Sequence, residues 1–299
     1  MTLDEFKFNK IELDENVICQ YIHESQFMEV CVELFKEIGN ITIIISNIMN
    51  QDDDGNVIKL TRNEAIIIGN IVRLSKLIVA FIAEICEKRA EISDILSRCI
   101  FENLINLNYF LKYKNDNSIF DDYVLSSLKT EIKLYNDINK NISQRGFVVP
   151  IEDRMLKSIE ITVSESDFKI DEVLETKKKF KSIYEKARDV FGEKSYLYLI
   201  SLPSHAVHGN WQELLVHNLI IDKEGFLPND DWSHPRPQTI NAIAKFSIEF
   251  LINYIKSELV ECNDKEFLLE LLQYHYDTNI KLNSLHEQFL TNKQKGKIE

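Results

Sequence analysis

Glycine and proline are rare in this chain, at eight and five residues among 299. Few breakers mean few turns, so the helices should be long. Between Gly69 and Gly146 there is neither residue, as expected for a stack of helical hairpins. Four of the five prolines fall between residues 203 and 237, which marks the irregular part of the chain. Without clustered glycines there is no phosphate-cradling loop and no dinucleotide fingerprint, and no cofactor is expected. Cysteine is equally sparse. Cys19, Cys31, Cys86, Cys99 and Cys262 stand singly, with no C-x-x-C and an odd total. That argues against a disulfide framework or a zinc ribbon and reads as small apolar residues in a reducing compartment.

Positive charge is also in deficit. Lys and Arg number 35 against 48 acids, a net charge of -13. Such a field repels phosphate, which argues against general DNA binding and an anionic membrane surface. Binding of RNA would need a local site. The uncharged run Ile38 to Gln51 contains Asn, Thr and Ser. It falls short of the roughly 20 apolar residues that span a bilayer. The opening residues MTLDEFKFNK are charged and unlike a secretory leader. A cytoplasmic protein without a membrane span is expected.

What is present is helical pattern. Residues 17–49 read as a helix bent near Gly39. QDDDGN (51–56) reads as a solvated turn, since it lacks the alternate spacing and closing Glu of a calcium loop. TRNE (61–64) is a capping-box pattern that opens a helix to about residue 90. That helix is apolar all round and is expected at the centre of a bundle. Helices follow at 94–114 and 120–143, then a mixed segment at 151–170 where SIEITVSES suggests extended backbone. A charged amphipathic helix is expected at 171–190. Residues 214–237 suit an extended or loop segment with a turn at Lys223 to Gly225. Helices at 238–260 and 263–290 close the chain. The expected fold is all-α, a multi-helix bundle with an irregular proline and aromatic segment near 203–237. It is read as one domain, with an N-terminal helical extension (1–60), a core bundle (61–260), and a C-terminal helix with a basic tail (261–299).

Chemistry concentrates in two places. Arg98 and Glu102 are four apart on one helix face, framed by Ile95, Phe101, Ile105 and Tyr109. A charged pair among large apolar groups is either a structural ion pair or an arginine aimed into a cleft to hold an anion. The second place is SLPSHAVHGNW (201–211). At helical spacing Tyr198, Ser201, His205 and His208 lie on one side, and Pro203 kinks that helix or begins a new one, freeing carbonyls. Imidazole is the usual acid or base near neutral pH, whereas a histidine on an interior face more often bonds a carbonyl or carboxylate. A metal site from His205, His208, Glu213 and His217 lacks the H-E-x-x-H pattern. A serine triad lacks the nucleophile elbow. GFLPNDDWSHPRP (225–237) reads as a wrap over the bundle in preference to a lid.

The ordered set formed by Arg98 and Glu102 with NLNYFL, then Y-x-x-S-x-x-x-H-x-x-H-G-x-W (Tyr198 to Trp211), HNLIIDKEGFLPNDDW and RPQTINAIAKF resembles a bacterial family known only as a domain of unknown function. The resemblance runs from about Arg62 to Tyr254. It implies an all-helical fold akin to the HEPN bundles, many of which are ribonucleases of toxin–antitoxin and phage-defence systems. HEPN ribonucleases carry an arginine a few residues before the catalytic histidine in one helix. Here the nearest arginine upstream of His205 is Arg188. Arg98 would have to supply the cation from another helix, with His208 or His205 as general acid/base on the 2'-hydroxyl or leaving group.

The expected site is therefore the cleft between the Arg98/Glu102 helix and the Tyr198–His208 helix, with Arg98, Glu102, Tyr198, Ser201, His205 and His208 as its catalytic set. The expected function is a metal-independent, HEPN-like ribonuclease or defence effector. The alternative is a non-catalytic interaction or scaffold protein in which Arg98, Glu102, Ser201 and His208 form a polar lock. Homodimerisation through an apolar helix face, or a protein partner, fits either reading. A small-anion binder that uses Arg98 is a third.

Overall fold

A computed structural model describes residues 7–48, 57–176, 179–259 and 262–296. The Asp-rich turn at 51–56 lies outside the described residues. The chain is all-α, with one short hairpin. Its helices are α1 (Glu15–Ile18), α2 (Ser25–Ile45), α3 (Arg62–Cys86), α4 (Ala90–Lys112), α5 (Asn117–Arg145), α6 (Pro150–Ser164), α7 (Ile170–Glu175), α8 (Ile183–Phe191), α9 (Ser204–His208), α10 (Trp211–Glu213), α11 (Pro237–Glu258) and α12 (Lys265–Gln294). Two π-helical turns, Leu197–Ser201 and Leu214–Asn218, interrupt the irregular region. β1 (Leu219–Asp222) pairs antiparallel with β2 (Gly225–Pro228), Ile221 opposite Phe226.

The capping box at Thr61 forms as its sequence requires. The Thr61 N–H donates to the Glu64 carboxylate at 2.7 Å, and the Thr61 hydroxyl accepts from the Glu64 N–H at 3.4 Å. The helix it opens is not the central one. Ile71, Leu74, Ile78 and Phe81 are fully buried, but Val79 is 66% exposed, so α3 covers one side of the bundle. By length and composition alone α3 is apolar enough to cross a membrane. Here its apolar stripe packs on α2 and α4. The central position belongs to α4, which touches α3, α8, α9, α11 and the first π turn. The chain does not break at Gly39 either, and α2 runs through it as one helix. A Cβ at Gly39 would lie 3.1 Å from Ile78 Cγ2, so the glycine serves close approach of α2 to α3.

Two further expectations are corrected. The SIEITVSES segment is helical: Pro150 begins α6, and the Glu152 carboxylate accepts from the Val149 N–H at 3.1 Å. That cap, with burial of Ile159 and Val163, outweighs the β-branched residues. The helix expected over 171–190 is broken into α7 and α8. Between them the Phe180 N–H donates to Ser126 Oγ at 2.7 Å, and the Phe180 ring stacks on Phe110 with centroids 5.7 Å apart. Burying that ring takes the chain out of helix, and Ser182 with Glu185 forms a capping box that restarts it.

Most of the core is one cluster contributed by α2, α3, α4, α11 and α12. A smaller cluster holds α5, α6 and α7 together through Leu125, Leu128, Ile132, Ile159, Val163 and Val173. Within the main core His275 is fully buried, and neither ring nitrogen has a hydrogen-bond partner. Burial holds this imidazole below its ordinary pKa, aided by Lys10 and opposed by Glu37. A base depressed in the fold loses stability as pH falls below its unfolded value of about 6.5, because the unfolded chain takes up the proton more readily. His275→Leu should therefore flatten the acid side of the stability curve. A gain of about 1 kcal/mol near pH 5.5 is expected, since the leucine needs no partner. Urea melts of both proteins at several pH values check this.

Candidate functional site

Helical spacing divides α4 into two working faces. Asp94, Ser97 and Phe101 point into a cavity, and Arg98, Glu102 and Asn106 form the stripe beside it. The stripe is a polar ladder. Arg98 Nη1 donates to Glu102 Oε2 at 2.5 Å, and Arg98 Nε donates to Ser204 Oγ at 3.0 Å. Further along, the buried Lys186 of α8 donates to Asn106 Oδ1 and sits 4.2 Å from the centre of the Phe180 ring. Burial pushes the Lys186 ammonium down to about 8, with the Glu102 charge pulling it back up. The Arg98 side chain is 16% exposed and that of Glu102 43%.

Proline explains why Ser204 is the partner. Pro203 has no N–H, and the preceding backbone slips into a π turn in which the Leu202 N–H reaches Leu197 O at 3.0 Å. The Ser204 hydroxyl donates to the Ile200 carbonyl at 2.5 Å and accepts from Arg98. Arg98 thus braces the break in the helix from across the cleft. Ser204 was missed in the sequence, where Ser201 was preferred on spacing. The signal was the serine directly after the proline.

The cavity, about 600 Å³, lies between α4, Phe191 at the end of α8, the π turn with α9, and α11. Its walls are largely apolar, with Phe101, Phe191, Leu199, Ala242 and Phe246 among them. One end is acidic, carrying Asp94 and Glu213. Gly209 ends α9 with a positive φ, and the Asn210 side chain then caps α10 by accepting from the Glu213 N–H at 3.3 Å. One turn on, His217 Nε2 lies 3.9 Å from Glu213 Oε1, and His217 Nδ1 lies 2.8 Å from Ser233 Oγ and 3.6 Å from Glu91 Oε1. Burial pushes the Asp94 carboxyl up to about 6. Glu213 and Glu91 add to the rise, and His217 and Arg236 oppose it. Among the described residues, no three His, Cys, Asp or Glu side chains are grouped to hold a metal ion.

The expected catalytic residues are spread over this region. Tyr198 lines the cavity and is 60% exposed. Ser201 and His205 are half-buried, and His208 is exposed at the end of α9. Arg98 and Glu102 meet each other and Ser204. No hydrogen bond joins them to either histidine among the described residues. The segment 225–237 wraps the N-terminus of α4: the Ser233 carbonyl accepts the Ala90 N–H at 3.0 Å, and Arg89 lies over the Trp232 ring. Its aromatics do not cap the core. Phe226 meets Trp211 edge-on at 5.4 Å, and both are more than half exposed.

A family model described as Family of unknown function (DUF5677) matches residues 64–226, more than half of the chain. The chain belongs to this family. No curated protein and no solved structure matches it. The DUF5677 segment contains the whole polar ladder, Arg98, Glu102, Asn106, Lys186 and Ser204, and the acidic end with Asp94, Glu213 and His217. It stops short of Gln238, Thr239, Ala242 and Phe246, with which α11 completes the cavity wall.

Proposed function

We propose that this DUF5677 protein binds a small organic molecule in the cavity beside α4, and that the Arg98–Glu102–Ser204 contacts are the scaffold that keeps the cavity's shape. One observation carries this reading. The cavity has the size and apolar lining of a ligand pocket, while the arginine that an anion binder would use is already bonded to Glu102 and Ser204. Ala242 lines the cavity, so Ala242→Phe should fill it. A thermal-shift screen of small organic fragments is expected to give hits on the wild type that vanish in this variant. A screen without hits, or hits that survive the filling, would overturn the reading.

As a scaffold, Arg98→Ala should cost about 1–2 kcal/mol, because the half-exposed Glu102 can turn to water once its partner is gone. His208→Ala should be close to neutral, since His208 is exposed. Chemical denaturation measures both.

A second reading is the metal-independent, HEPN-like ribonuclease. What favours it is the imidazole of His208, exposed three residues before Trp211, whose exposed ring meets Phe226. The same variants decide. If the wild type cleaves total RNA and Arg98→Ala and His208→Ala are folded but inactive, the ribonuclease reading replaces the first.

A further inference from the structure

We infer that the ligand is an organic amine, its protonated nitrogen held between Asp94 and Glu213 and its apolar body laid against Phe101, Leu199 and Phe246. This rests on the cavity reading above and deepens it. The argument is one of missing donors. The charged groups in the cavity wall are both carboxylates, and no Lys, Arg or His lines it. Gln238, on the same wall, has its Oε1 buried without a hydrogen-bond partner. Outside the cavity wall, the Glu91 carboxylate that faces Asp94 also keeps one buried oxygen unpaired. The Asp94 carboxylate accepts no hydrogen bond among the described residues; the Ser97 hydroxyl donates to its backbone carbonyl instead. Buried acceptors without donors are costly, and at one end of a partly dry cavity the Glu213 charge adds to the rise that burial imposes on Asp94. A ligand with N–H donors and a positive charge satisfies both deficits at once. A phosphate or carboxylate ligand would deepen them. The cavity's apolar walls favour an aryl-alkyl monoamine over a polyamine, whose further charges would be stranded there.

The groups that face Asp94 are Glu91 on its own helix, Glu213 from α10, His217 from the second π turn, and Arg236 just before α11. The ammonium pairs with the ionised carboxyl, so binding expels a proton whenever Asp94 holds one. Affinity should then fall as pH drops through about 6.

Calorimetry of the full chain with 2-phenylethylamine and its uncharged analogue 2-phenylethanol tests the assignment. The amine should bind at least about tenfold more tightly near pH 7.5. That preference should disappear in Asp94→Asn and weaken in Glu213→Gln, with binding of the alcohol retained in both. If the alcohol binds the wild type as tightly as the amine, the cation assignment is overturned and the cavity reading survives. If neither binds, nor tryptamine as a longer probe, both are overturned. If Asp94→Asn keeps the full preference, the acidic end is not where the nitrogen sits.

Discussion

Asp94→Asn should make the protein more stable at neutral pH, by about 2 kcal/mol. The carboxyl is pushed up to about 6 from an ordinary value of 3.8. Each unit of such a rise costs the fold about 1.4 kcal/mol once the group is ionised. The full difference of about two units would give close to 3 kcal/mol; the open mouth of the cavity reduces it. The sign follows from proton binding. Between about pH 4 and 6 the native state holds the proton that the unfolded chain has released, so wild-type stability falls as pH rises through that window. The amide has no such proton. Its stability curve should run nearly flat where the wild type declines, and the two should converge below about pH 4. Urea denaturation of both proteins across that range is the measurement. A variant less stable than wild type at neutral pH would mean that the ionised Asp94 is held by a stabilising partner, contrary to the environment described here. Gain of stability together with loss of amine preference would mark a group kept for binding at the expense of the fold.

Phe110→Ala should have the largest effect in the opposite direction, a loss of about 3–5 kcal/mol. Phe110 is fully buried on α4. It stacks on Phe120 at 5.4 Å and on Phe180 at 5.7 Å, and meets Tyr123 edge-on at 5.0 Å. It therefore joins three parts of the chain: α4, α5 and the break before α8. Truncation leaves a cavity among rings too large to close over it. It also loosens Phe180, and with it the face that the Lys186 ammonium covers. Hydrogen exchange should accelerate first in α8, ahead of global unfolding. A cost below about 1 kcal/mol would show that Phe120 and Phe180 close the gap on their own. Phe110→Leu, which keeps most of the volume, should cost far less and serves as the control.

The long helices were legible because their signals are local. Thr61 and Glu64 announce a cap within four residues, and the apolar periodicity of α4, α11 and α12 needs no knowledge of the partner helix. Non-local causes were not legible. Nothing near Gly39 in the sequence says that Ile78 will lie against it. The break before α8 arises because Phe180 is drawn to Phe110, some seventy residues earlier. The Ser182–Glu185 cap that follows the break was readable and was overlooked. At the site, Arg98 and Glu102 were found from spacing, since i, i+4 neighbours are fixed by the helix itself. The acidic end was not, because Glu213 reaches Asp94 only when α9 and α10 fold against α4. His217 had been weighed only as a metal ligand. Ser204 was hidden because the π turn and Pro203 interrupt the regular helical spacing from which Ser201 was read.

The contact between Gly39 and Ile78 also bears on what counts as a unit in this protein. Gly39 lies in α2, ahead of the matched segment, and α11 and α12 lie behind it. A fragment cut at residues 64 and 226 would retain α3 and α4 but strip both of the helices that cover them. Ile71, Leu74, Ile78 and Phe81 would face water, and the cavity would be left with three sides. The boundaries of the family are thus boundaries of sequence likeness alone. Any piece meant to be expressed and to fold by itself must carry the flanking helices with it.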